Sequence, residues 1–241
     1  GQSVDHAGAH RRAAINLAAI SVAEVHRGNE LATPGTFTPT TRVLAEIDCL
    51  GNSKRPLRHR QVLTLHAGTT AVTVRLRLTD PILLPGQKSY ADLRLKDPTV
   101  LAWGQRFILR SSSSDTVGGG RVVDALPGRR RVRDMQRRCK GAGDEVPTAR
   151  IASLLEQQPS ISGGEAVQRL GVSAETATTL LQAMTKEKNV NVVHDSATGH
   201  WISGLWLKRM QRSVLRVLSE EIQRNSPRRL LPRSLITSQC R

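Results

Sequence analysis

Aromatic side chains are scarce: three Trp, two Phe and one Tyr among 241 residues. That scarcity excludes a broad stacking platform for single-stranded RNA and leaves any core to Val, Leu, Ile and Ala. Cysteine is scarce too. Cys49, Cys139 and Cys240 are odd in number, far apart and without a C-x-x-C pair, which argues against a disulfide framework and a zinc site. A reducing, cytoplasmic compartment fits this usage best. No run of about 18 apolar residues occurs, so no membrane span and no membrane partner are expected. The chain opens at Gly1-Gln2-Ser3 without Met and without a charged-then-apolar leader, which reads as an internal cut. Catalytic signatures are missing as well. The phosphate-binding pattern G-x-x-x-x-G-K-[ST] does not occur, and no paired carboxylates, Ser/His/Asp set or His/Cys cluster emerges. No catalysis, cofactor site or metal site is expected of this stretch by itself.

What the chain has in abundance is positive charge. Its formal net charge is +16, a surplus that points to a polyanionic partner. The surplus is uneven. Residues 1–126 carry 16 basic and 10 acidic groups, 127–145 carry 7 and 3, 146–203 carry 4 and 5, and 204–241 carry 9 and 2. The front, a short middle stretch and the tail are basic, and one segment is spared.

Residues 1–126 read as β structure. Arg42–Ile47, Gln61–His66 and Ala71–Leu78 alternate by two, most strictly with Val72, Val74, Leu76 and Leu78 on one face. Tyr90–Leu95 and Arg106–Leu109 continue the series, and Ala13–Leu17 is a shorter apolar run ahead of a bend. Turn signals separate the runs at Pro34-Gly35, Gly51-Asn52, Ala67-Gly68, Pro85-Gly86 and Trp103-Gly104. Short strands with regular turn punctuation predict a β-barrel or sandwich. Residues 127–145 read as a basic, flexible linker that is either solvated or laid along phosphates.

From residue 146 the period becomes helical. Ile151, Leu154 and Leu155 begin one helix; Ala166, Val167 and Leu170 mark a second, ended by Gly171; Ser173 is a suitable N-cap for a third, striped by Ala177, Leu180, Leu181 and Met184. A hairpin pattern follows, with Val190, Val192 and Val193, a turn over Asp195–Gly199, then His200–Ile202. Three helices followed by a hairpin predict a winged helix over 146–204. Its third helix opens Ser173-Ala174-Glu175-Thr176 without Arg or Lys, so a spacer or protein-contact role is favoured over reading a nucleic-acid groove. Residues 205–225 read as an amphipathic helix that opens a second winged helix over 205–241.

Arg106–Arg110 followed by Thr116-Val117-Gly118-Gly119-Gly120-Arg121-Val122-Val123-Asp124 resembles the last hairpin of the third domain of EF-Tu-class elongation factors, and is similar to the selenocysteine-specific (SelB) branch in particular. Pro56–Arg60 and Leu65-His66-Ala67-Gly68-Thr69 resemble third-domain strands of that branch, Leu84-Pro85-Gly86-Gln87 resembles a barrel turn shared across the class, and Ile15–Ile20 with Arg27–Ala32 look like the end of the second domain. The resemblance implies a multidomain β-plus-α chain: the end of a second-domain barrel over 1–35, a third-domain barrel over 36–126, the linker 127–145 and the winged helices. It implies a carboxy-terminal portion of a factor that delivers selenocysteyl-tRNA to the ribosome at recoded UGA codons. In the intact protein GTP and Mg would be bound and GTP hydrolysed by a domain this chain lacks. An mRNA hairpin would be held by a last winged helix, also lacking here. The family's tRNA-contact regions map to Arg58, His59 and Arg60 and to Arg110, Ser111 and Ser112. Arg129, Arg130 and Arg131 are the linker's candidates for phosphate contact. A winged-helix DNA-binding regulator with a β-barrel sensor, and a general EF-Tu-like factor, remain as alternatives.

Overall fold

The computed structural model describes residues 6–8, 12–128, 135–186 and 192–224. Its front half is a closed barrel. Six strands form the wall: β1 (Thr40–Cys49), β3 (Val62–Ala67), β4 (Thr70–Leu78), β6 (Lys88–Thr99), β7 (Arg106–Arg110) and β8 (Thr116–Asp124). They run in the order β1-β6-β4-β3-β7-β8, and β8 pairs back onto β1. Two short strands, β2 (Leu57–Arg58) and β5 (Ile82–Leu83), pair beside the wall. The alternation seen in sequence sets the faces. Val72, Val74, Leu76 and Leu78 point inward and are buried, as are Leu63, Leu65, Leu93, Leu95 and Leu109. Closure removes the open edges that an unpaired sheet would present.

The glycine triplet makes closure possible. A Cβ on Gly118 would come to 2.6 Å from the Asp48 carbonyl oxygen and one on Gly119 to 2.7 Å from that of Phe107, while one on Gly120 would overlap the Glu46 carbonyl. No side chain fits where β8 is pressed between β1 and β7. These glycines therefore serve strand approach, and they form no phosphate cradle.

Two expectations fail here. Among the described residues before Thr40 there is no strand, only a single 3-10 turn at Val22–Glu24. Ile15, Ile20, Val22 and Leu31 are exposed. A run such as Ala13–Leu17 becomes a strand only with partners for its backbone groups and its apolar face, and none adjoins it. The stretch 127–145 is also more than a flexible linker. It contains α1 (Met135–Ala142), whose Met135 and Cys139 pack on Leu44 and Val123 against the outside of the barrel. Two apolar residues four apart on one helical turn suffice for such a stripe, but the surrounding basic residues disguise it.

Behind α1 lies a helical module: α2 (Pro147–Gln157), β9 (Ser160–Ser162), α3 (Gly163–Leu170), α4 (Ala174–Lys186), β10 (Val192–Asp195) and β11 (His200–Ser203), followed by α5 (Gly204–Arg224). The small sheet has the order β10-β11-β9. Ile151, Leu154, Leu155, Leu170, Leu181, Met184 and Trp201 fill its core. Local signals set the boundaries: Pro147 opens α2, Ser162 and Glu165 form a reciprocal capping box for α3, and Gly171 closes it with φ +65°. Ser173 caps α4, its Oγ accepting from the Thr176 amide at 3.2 Å.

Barrel and module are joined by polar contacts. The Gln168 amide donates to the carbonyls of Thr38 and Leu101 and accepts from the Thr38 N–H. Trp103 donates its backbone N–H to the Gln168 carbonyl and its indole N–H to that of Ala142. The Arg150 guanidinium lies over the Trp103 ring, 3.7 Å from the centroid.

Candidate nucleic-acid interface

The turn joining β2 to β3 carries Arg58, His59 and Arg60. The Arg58 N–H donates to the Gln61 side chain, and the Arg60 N–H donates to the Leu76 carbonyl at 2.7 Å. His59 holds its Nδ1 2.9 Å from the Leu78 carbonyl. A carbonyl only accepts, so the proton sits on Nδ1. Arg60 has φ +66°, a left-handed conformation that costs a non-glycine residue on the order of 1 kcal/mol. The turn holds a long basic side chain where glycine would be the relaxed choice. Backbone bonds on both sides maintain it.

Three depressions adjoin on this side of the barrel. The first is lined by Arg55, Pro56, Arg58, His59, Arg60 and Gln61. The second shares Arg55, Pro56 and Gln61 with it and adds Lys54 and the loop serines Ser111, Ser112 and Ser113. The third shares Arg60 with the first and is otherwise lined by Val62, Thr73, Arg75, Arg77, Arg94, Leu95 and Lys96. Five of its eight lining residues are basic and none is acidic. Together they make a basic track running from the serine loop, over the turn, onto the outer face of β4 and β6.

The structure thus brings Arg58, His59, Arg60, Ser111 and Ser112 along one track. Arg110 is differently employed: its Nε donates to the Ser114 carbonyl at 2.9 Å, so it braces the serine loop. Ser111 and Ser113 bond to each other, and Ser113 to Asp115, which makes that loop a closed turn. Arg129, Arg130 and Arg131 lie outside the described residues.

Sequence reasoning missed Arg75, Arg77, Arg94 and Lys96. The signal was available in the alternation that identified β4. If Val74, Leu76, Leu93 and Leu95 face inward, the residues between them face outward. What the sequence does not show is the register that pairs Arg75 with Arg94 across the β4–β6 ladder. Like charges directly opposite are destabilising, so the pairing favours an anion above it.

On the opposite side the charges are internally matched. Arg121 donates to Glu46 at 2.9 Å and to Glu145 at 2.7 Å, and the Glu46 bond foremost raises its pKa. The exposed side of α4, which includes Glu175, Thr176, Thr179 and Gln182, has no basic cluster at its start. Among the described residues no group of three His, Cys, Asp or Glu could hold a metal. No described helix is long and apolar enough to cross a membrane. The glycine triplet is filled by neighbouring backbone, so these residues do not fit a guanine nucleotide.

Residues 42–129 match the family described as selenocysteine-specific elongation factor, beta-barrel domain. That match spans β1 to β8 and includes every residue of the basic track. The chain is 36% identical over 140 residues to a selenocysteine-specific elongation factor of Desulfomicrobium baculatum, an alignment covering 56% of this chain and 22% of that protein. The chain therefore spans about a fifth of the relative's length, and its barrel, over residues 42–129, is similar to the beta-barrel domain of selenocysteine-specific elongation factors.

Proposed function

We propose that this chain is the part of a selenocysteine-specific elongation factor that holds selenocysteyl-tRNA by the backbone of a duplex arm, for delivery to the ribosome. The observation that carries the reading is the depression lined by Arg60, Arg75, Arg77, Arg94 and Lys96 without an acidic group. A-form RNA is recognised largely through phosphates and 2′-hydroxyls. Guanidinium groups suit the phosphates, and the serines beside the turn suit the 2′-hydroxyls. Arg58, His59, Arg60, Ser111 and Ser112 are the nearer contacts, and the β4–β6 arginines extend them.

In this reading the barrel corresponds to the third domain of the EF-Tu class. The order α2-β9-α3-α4-β10-β11 supports a winged helix over 146–204, and the near-neutral start of α4 supports a spacer role for it. GTP binding and hydrolysis, and recognition of the mRNA hairpin, are assigned outside the described residues.

The test is binding of the 241-residue chain to a hairpin carrying the acceptor and T arms of selenocysteine tRNA, set against a DNA duplex of equal length, over a range of salt. The expected result is preference for the RNA, with log K falling as log salt rises by roughly one unit per phosphate contacted. Equal or tighter binding of the DNA would overturn it in favour of a DNA-binding regulator.

A further inference from the structure

Among the described residues, Asp92 is the acidic side chain set among the arginines of the β4–β6 face. It lies on the outward side of β6, between the inward Ala91 and Leu93, yet it is 0% exposed. Its carboxylate meets Arg42, with Nε at 2.9 Å and Nη2 at 3.1 Å. Arg94 Nε lies 3.2 Å from the same Oδ1, and Arg77 Nη1 lies 3.9 Å from Oδ2. Three guanidinium groups thus share one buried carboxylate. Arg42 is itself buried and also donates to the Gly128 carbonyl, where the chain leaves the barrel for α1. Arg77 and Arg94 remain 34% and 43% exposed in the basic depression.

We propose that Asp92 is a positioning residue for polyanion binding, fixing Arg77 and Arg94 from beneath so that their guanidinium groups meet a phosphate already oriented. The inference rests on the reading of this face as an RNA-backbone site. Arg94 meets the carboxylate through Nε while its side chain stays 43% exposed. A guanidinium held in this way loses less conformational freedom on binding than a loose one. Without the carboxylate, Arg75, Arg77 and Arg94 repel one another with nothing to gather them.

The proposal has a sign that simple electrostatics reverses. Asp92→Asn makes the chain one unit more positive, and attraction to a polyanion should then tighten binding. A positioning role predicts the opposite. With the same RNA hairpin, Asp92→Asn is expected to bind about threefold to tenfold more weakly, with a salt slope shallower by about one. Asp97→Asn, which removes an equal charge at an exposed position of the same strand, is expected to bind at least as tightly as the parent. Arg94→Lys carries the test if Asp92→Asn does not fold. It keeps the net charge and the buried carboxylate but loses the fork, and a loss of about threefold or more is expected. Parent-like or tighter binding by folded Asp92→Asn, or parent-like binding by Arg94→Lys, overturns the positioning role while leaving the RNA reading intact. Failure of the parent chain to bind the hairpin sinks both.

Discussion

Arg169 places its Nη2 2.9 Å from Asp124 Oδ2, and the two side chains are only 2% and 1% exposed. Asp124 ends β8 and Arg169 lies on α3, so the pair joins the barrel to the helical module. Asp124 also accepts from the Leu126 N–H at 3.1 Å, and Arg169 donates to Gln158. The charges are thus tied into hydrogen bonds at both ends. Removing one partner leaves a buried charge without compensation. Asp124→Asn is expected to destabilise the chain by about 3–5 kcal/mol. Replacing both residues, as Asp124→Leu with Arg169→Met, should cost clearly less than the sum of the single changes. Urea unfolding of the two single variants and the double variant gives the coupling directly.

Arg150 makes the second prediction. Its guanidinium stacks on Trp103 and donates to the carbonyls of Glu145 at 3.0 Å and Leu170 at 2.8 Å. Burial is the first cause lowering its pKa, yet it stays charged because an arginine starts so high. Lysine cannot present a planar face to the indole and reach both carbonyls. Arg150→Lys is expected to lower stability by about 1–3 kcal/mol, although no charge is lost. An unfolding midpoint equal to the parent's would show that the stack contributes nothing.

These two residues mark where sequence reasoning stops. The strands at Arg42–Ile47, Gln61–His66 and Ala71–Leu78 were legible because period-two alternation reports a half-buried sheet. The end of α3 was legible because Gly171 acts locally; its start, capped by Ser162 and Glu165, reads as loop in the sequence. Nothing local marks Asp124 as the partner of Arg169, or Asp92 as the centre of three arginines. Those pairings depend on strand register and on how α1 and α3 meet the barrel. The same limit hid half of the candidate site. Arg58–Arg60 stood out as a basic cluster in one turn, whereas Arg75 and Arg94 become neighbours only through the β4–β6 ladder. Arg138 shows the limit in the former linker. It reads as one more solvated charge, but it is buried, and desolvation lowers its pKa.

The glycine triplet makes a steric prediction. A methyl group on Gly120 would overlap the Glu46 carbonyl oxygen, an atom of the β1 backbone with no flexible end to move aside. Gly120→Ala should force β8 away from β1 and cost about 3 kcal/mol or more. Gly51 has no atom within 4 Å of a built Cβ and no positive φ, so Gly51→Ala should stay within about 0.5 kcal/mol of the parent. Thermal unfolding of the two variants side by side checks the contrast, and equal losses would contradict it.

Cys139 carries a prediction that depends on pH. It is fully buried between α1 and the barrel, and burial, aided by the nearby Asp124 charge, pushes its thiol from 9.0 up to about 12. The folded value lies above the unfolded one. Its contribution to stability is therefore fully present below about pH 9 and is lost as pH rises towards 12. The unfolded chain releases this proton in that window and the folded chain does not, so alkali favours unfolding. The thiolate is also the species that alkylating reagents attack. Iodoacetamide at pH 8 should therefore label Cys139 in urea but leave it unlabelled in the native chain, as read by peptide mass mapping. Between pH 9 and 11 the stability of Cys139→Ala should fall less steeply than the parent's, even though the variant starts lower because a buried side chain has been truncated. Labelling of native Cys139 at the unfolded rate would show that α1 does not seal this face of the barrel.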